Sequence, residues 1–103
     1  FKSGIVLDDC LGNTVIGNTL VNNNRGNGNF SDITLQSTSF AMNNNVVAEN
    51  IFRNERTLTN KGYAIEEKDN GGGNTNANIL TNNIIKGINS GYLTLTVKRL
   101  LNI

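Results

Sequence analysis

Asn45-Val46-Val47-Ala48-Glu49-Asn50-Ile51-Phe52-Arg53-Asn54 carries two Asn five residues apart, each followed two places later by an apolar residue. The same order stands upstream in Asn13-Thr14-Val15-Ile16-Gly17-Asn18-Thr19-Leu20-Val21-Asn22. It stands again downstream in Asn78-Ile79-Leu80-Thr81-Asn82-Asn83-Ile84-Ile85-Lys86-Gly87. The shared pattern is N-x-[VL]-x-x-N-x-[LFI]-x-[NG]; it recurs after 32 and then 33 residues, without an internal gap. A period of this length marks a stacked architecture in which one repeat cannot bury its apolar face alone.

A second, weaker element alternates with the first. Gly4-Ile5-Val6-Leu7 aligns with Asp32-Ile33-Thr34-Leu35, then Gly62-Tyr63-Ala64-Ile65, then Gly91-Tyr92-Leu93-Thr94, at offsets of 28, 30 and 29. In this alignment Tyr63 and Tyr92 take the place of Ile5 and Ile33. Within both elements apolar residues alternate with others over a few positions, and Val, Ile and Thr dominate, which is a strand signal. Between them lie Asn, Gly and Asp clusters such as 22–29 and 68–76, which supply turns. The spacing changes only in these loops.

Stacked at the strand-to-strand distance, the repeats form continuous files. Val15, Val47 and Leu80 make one apolar file, and Leu20, Phe52 and Ile85 a second. Ile5/Leu7, Ile33/Leu35 and Tyr63/Ile65 supply another wall. The Asn residues make two polar files, Asn13-Asn45-Asn78 and Asn18-Asn50-Asn83. A side-chain amide both donates and accepts, so amides stacked at this spacing bond the one above and the one below. Such a ladder satisfies backbone groups at a sharp corner.

At these residues the chain resembles the right-handed parallel β-helix repeat of the pectate-lyase-like superfamily, over residues 3 to 97. The resemblance implies an all-β chain: a right-handed, single-stranded parallel β-helix (a β-solenoid) of about three and a half coils. That superfamily includes polysaccharide lyases, hydrolases, uronate epimerases and phage tail spikes. The resemblance therefore implies contact with polysaccharide, and an extracellular, cell-surface or virion location. It does not select an activity, because members of different function share the ladder. The six ladder residues carry over as structure only.

Composition narrows the chemistry. The 103 residues make one domain, 1–103, with 37% hydrophobic and 17% charged residues and 21 Asn. No His is present, which removes imidazole triads and His-ligated zinc, and a lone Cys10 removes a disulfide framework and a Cys-rich metal site. A net charge of +1 gives no reason to expect nucleic acid. No apolar run approaches the ~20 residues that cross a bilayer, so no membrane partner is expected.

The candidate catalytic acids are Glu66, Glu67 and Asp69, in the run Glu66-Glu67-Lys68-Asp69 after the Tyr63 strand. Paired carboxylates hydrolyse glycosides when ~5 to 9.5 Å apart, but neighbours on a strand point to opposite faces. A solvated role is the plainer reading of the cluster. Asp8-Asp9 is the one early acidic pair; no Arg lies in register with it to complete a lyase-type calcium site. No metal or cofactor is expected. Candidate ligand-binding residues are Arg53 and Lys86, equivalent positions that form a short outer basic column suited to an acidic glycan. Tyr63 and Tyr92 are further candidates, either as an outward platform for sugar rings or as core residues.

The expected function is a β-helix segment that engages polysaccharide, without a complete catalytic site in this chain. The alternative is a structural stalk or oligomerisation module, and the third reading is a polysaccharide lyase or hydrolase. Residues 91–103 depart from the motif and read as a candidate C-terminal cap, with 98–101 as a closing turn or short helix. Nothing at Phe1-Lys2-Ser3 resembles a cap. The chain is therefore expected to be the C-terminal coils of a longer protein, or to dock on another subunit, for example in a homotrimer.

Overall fold

A computed structural model describes residues 3–23, 30–54, 63–71, 77–87, 90–93 and 101–102, the last two ranges by their backbone path. The strands are β1 (Ile5–Asp8), β2 (Thr14–Ile16), β3 (Thr19–Val21), β4 (Ile33–Ser37), β5 (Val46–Ala48), β6 (Ile51–Arg53), β7 (Tyr63–Asp69), β8 (Ile79–Thr81), β9 (Ile84–Lys86), β10 (Ser90–Leu93) and β11 (Leu101–Asn102). Among the described residues there is no helix. Each strand pairs in parallel with the strand three places on. The result is three sheets, β1-β4-β7-β10, β2-β5-β8-β11 and β3-β6-β9. None closes into a barrel, and the arrangement is consistent with a β-solenoid.

The short strands follow from the motif. In β2, β3 and β6 one inward residue stands between two exposed ones. Val15 therefore pairs with Val47, and Val47 with Leu80; likewise Leu20 pairs with Phe52, and Phe52 with Ile85. Stacking completes the burial. Val47 and Phe52, in the middle repeat, are fully enclosed, whereas Val15 and Leu20, in the first, keep 9% and 6% exposure. Ile33, Leu35, Met42, Ala64 and Ile65 complete the core.

The corners have a common device. The residue before every ladder Asn is left-handed: Gly12, Asn44 and Ala77 at φ 71°, 59° and 56°, and Gly17, Glu49 and Asn82 at 72°, 55° and 55°. The reversal turns the chain sharply and points the next amide along the stack. Gly and Asn tolerate this conformation, while a residue such as Ala loses about 1–2 kcal/mol in it. Ala77→Gly is therefore expected to raise stability by about 0.5–1 kcal/mol. A higher urea midpoint at unchanged slope checks this; a lower midpoint would contradict it.

The register of the first sheet corrects one alignment. Ile33 pairs with Ile65, not Tyr63, and Leu35 pairs with Glu67. Tyr92 pairs with Ile65, and Tyr63 with Ser90, so the two Tyr do not share a file. A two-residue slip keeps every side chain on its own face, so apolar alternation cannot reveal it. The cue in the sequence is the 33-residue step from the second repeat to the third: Asn45 to Asn78 and Asn50 to Asn83 follow it, and Ile33 to Ile65 follows it to within one residue. At the C-terminal end, Leu101 is a strand residue over Leu80, not part of a turn or helix. Residues 94–100, which make up most of the candidate cap, lie outside the described residues.

Candidate functional site

The two amide files run the length of the described stack. Asn45 Oδ1 accepts the Asn13 backbone N–H (2.8 Å) and Nδ2 (3.3 Å); Asn78 Oδ1 accepts the same groups of Asn45 at 2.9 and 3.0 Å. Asn50 Oδ1 accepts from Asn18 N (2.9 Å) and Nδ2 (3.1 Å), and Asn83 Oδ1 from Asn50 N (3.0 Å) and Nδ2 (3.2 Å). Every Oδ1 thus reaches back toward the preceding repeat. The same amides tie down carbonyls of that repeat: Asn50 Nδ2 donates to Val15 O at 3.1 Å and Asn83 Nδ2 to Val47 O at 3.1 Å. These bonds serve backbone groups that the strand ladders leave over at the corners.

The three candidate acids are not brought to one cleft. Glu67 occupies the file of Leu7 and Leu35, keeps 1% exposure, and accepts Asn78 Nδ2 at 2.7 Å through Oε2. It is a core acid that engages the amide ladder. Glu66 faces the other way, with its Oε2 2.9 Å from Ser31 Oγ and 4.0 Å from Lys68 Nζ. Asp69 ends the strand, where its Oδ1 accepts Ser37 Oγ at 3.2 Å and the Gly71 N–H at 2.9 Å. Among the described residues no three His, Cys, Asp or Glu gather as a metal-ligand group.

Glu66 and Lys68 lie on the outer face of β1-β4-β7, which carries a polar chain. Asn70 Nδ2 donates to Gln36 Oε1 at 3.2 Å, and Gln36 Nε2 donates to Asp8 Oδ2 at 2.9 Å. Beside it lies a depression of about 260 Å³ lined by Ser3, Val6, Phe30, Thr34, Gln36 and Lys68. Tyr63 is half-buried at the start of β7, with its backbone N–H on Ser31 Oγ. Tyr92 lies in β10, and its side chain is outside the described residues.

The outer face of β3-β6-β9 differs in character. Register stacks Thr19, Ile51 and Ile84 in one file and Val21, Arg53 and Lys86 in the next. A groove of about 370 Å³ is lined by Thr19, Ile51, Arg53, Ile84 and Lys86. Ile51 and Ile84 keep 38% and 53% exposure. The three strands contain no acidic residue. Arg53 and Lys86 stand directly opposite one another in register, an arrangement of like charges that weakens a strand pair.

Two further acids, Asp9 and Asp32, have roles that the sequence did not assign to them. Asp9 accepts the backbone N–H groups of Thr38 (2.7 Å), Ser39 and Phe40 (3.0 Å each) and so fastens the turn of the next repeat. Those bonds, Phe40's first, hold its carboxyl below the usual 3.8. Asp32 is 4% exposed and its Oδ2 has no hydrogen-bond partner. Burial pushes its carboxyl up to about 6, against an opposing bond from the Asn23 side chain. Neither acid sits in a copy of the Asn motif; Asp32 opens a copy of the second element in place of Gly4, Gly62 and Gly91, which marks its position but not its burial.

Compared with known protein families, with curated proteins and with solved structures, the chain matches none.

Proposed function

We propose that the chain is a right-handed parallel β-helix of about three and a half coils, similar to the pectate-lyase-like repeat, and that it engages an acidic polysaccharide. The observation that supports this reading is the groove on β3-β6-β9, where the Arg53 and Lys86 file runs beside the exposed Ile51 and Ile84 file. Successive cations along the stack are one strand spacing apart, about 4.8 Å. A glycan lying along the stack presents carboxylates to Arg53 and Lys86 through charge-assisted bonds. Its C–H faces cover the isoleucines. Glu66, Glu67 and Asp69 take no catalytic part in this reading. The chain belongs, in the same reading, to a larger secreted, cell-surface or phage-tail-type protein.

The test is titration with a uronic-acid oligosaccharide and a neutral glucan of equal length, followed by NMR of the Ile51 and Ile84 methyls. The acidic oligomer is expected to shift both methyls. Lys86→Glu should weaken that binding by about tenfold, or 1.4 kcal/mol, and added salt should weaken it further. Binding unchanged by Lys86→Glu, or no binding of either glycan, would overturn the proposal in favour of a structural stalk. Release of unsaturated sugar would point to a lyase instead.

A further inference from the structure

The amide ladder depends on asparagines that last, and the sequence treats its asparagines unequally. Each ladder Asn precedes a β-branched residue: Asn13-Thr14, Asn18-Thr19, Asn45-Val46, Asn50-Ile51, Asn78-Ile79 and Asn83-Ile84. A branched side chain crowds its own backbone nitrogen and hinders attack by that nitrogen on the preceding side-chain amide. Asn70 has no such protection, because Gly71 follows it.

We infer that Asn70 is a self-modifying site, converting to aspartate and isoaspartate with Asp69 as the base. Asn70 is exposed at the end of β7. Gly71 stands at φ 107°, a conformation open to glycine, and its N–H donates to Asp69 Oδ1 at 2.9 Å. The nitrogen that must lose a proton is therefore already bonded to a carboxylate, within the reach required of a general base. Gly71 N attacks Asn70 Cγ and its proton passes to Asp69. The Cγ–Nδ2 bond breaks, and Nδ2 takes up that proton and leaves as ammonia. Water then opens the cyclic imide at either carbonyl, giving aspartate or isoaspartate. No oxidant or reductant is needed.

The conversion reaches beyond the loop. Asn70 Nδ2 is the donor to Gln36 Oε1, and Gln36 Nε2 in turn donates to Asp8. Once Nδ2 is lost, a carboxylate faces the Gln36 oxygen, acceptor against acceptor. The polar chain on the outer face of β1-β4-β7 breaks, and the formal net charge falls by one from +1. The ladder behind it stays intact.

The chain supplies its own control, since Asn27-Gly28 is its one other Asn-Gly pair. Folded protein is held at pH 7.5 and 37 °C for several weeks and mapped by peptide mass spectrometry, with isoaspartate detected by its methyltransferase. Asn70 is expected to gain about 1 Da and isoaspartate, with the six ladder Asn unchanged. The ratio of conversion at Asn70 to that at Asn27 should be several-fold higher in folded protein than in urea. Asp69→Asn should lower that ratio by about fivefold. A ratio equal to that in urea would overturn the inference. So would an Asp69→Asn protein that keeps its fold by circular dichroism and converts Asn70 at the wild-type rate.

Discussion

Asn50→Ala is expected to remove a large share of the stability of the fold. Asn50 is fully buried in the middle repeat. Its Oδ1 accepts two N–H groups of Asn18, and its Nδ2 donates to Val15 O and Asn83 Oδ1. Alanine takes the acceptor from Asn18 N and the donor from Val15 O, while Asn83 Oδ1 keeps the Asn50 backbone N–H and Asn18 Nδ2 keeps Ile16 O. Each group so orphaned costs about 1–3 kcal/mol, which places the total near 2–6 kcal/mol. A domain of this size is stable by only about 5–15 kcal/mol. Asn50→Asp retains the acceptor but turns a carboxylate oxygen toward Asn83 Oδ1, and should fall between alanine and wild type. Asn18→Ala, in the exposed first repeat, should cost about 1 kcal/mol. Urea midpoints of the three variants check the order, and a loss under 1 kcal/mol for Asn50→Ala would contradict it.

Asp32→Asn is expected to do the reverse and stabilise the protein at neutral pH. The folded carboxyl titrates near 6 against 3.8 for an ordinary aspartate. Between those values the folded chain holds the proton and the unfolded chain does not. Stability therefore falls as pH rises through that window, and the full penalty is present above about 6. At 1.36 kcal/mol per pKa unit, the penalty at pH 7 is at most about 3 kcal/mol. The amide that replaces the carboxyl carries no charge to desolvate, so the substitution removes this penalty. The gain over wild type should be largest at pH 7 and vanish below pH ~4. A gain that persists unchanged at low pH would mean that desolvation of the Asp32 carboxylate is not its source.

The sequence was most legible where spacing and residue type constrained each other. Two Asn five residues apart, each with an apolar residue two places on, define two short strands joined at a corner. Strands β2, β3, β5, β6, β8 and β9 are those segments, in that register. The first sheet was less legible. Its strands lack a fixed polar mark, and the Gly62-Tyr63 copy matched equally well two residues out of step. The same slip hid Glu67: aligned on Tyr63 it falls beyond the apolar pair, whereas aligned on Ile65 it replaces Leu35 in the core. The left-handed residues at Glu49 and Ala77 were also invisible, because neither residue type favours that conformation and the corner imposes it. Among the candidate binding residues, the Arg53 and Lys86 equivalence could be read from the 33-residue step. Their partnership with Ile51 and Ile84 needed the face of the strand as well. Asp32 was out of reach, since its burial comes from long-range packing that leaves no local trace.

Hydrogen exchange of side-chain amides tests the stacked-amide architecture most directly. In the folded protein the Nδ2 protons of Asn45 and Asn50 should exchange as slowly as the backbone amides of Val47 and Phe52, their neighbours in the middle repeat. The Nδ2 protons of Asn70, on the surface, should exchange far faster. Asn45 and Asn50 side chains exchanging as fast as Asn70 would show that the amides do not form a ladder, and the account would fail.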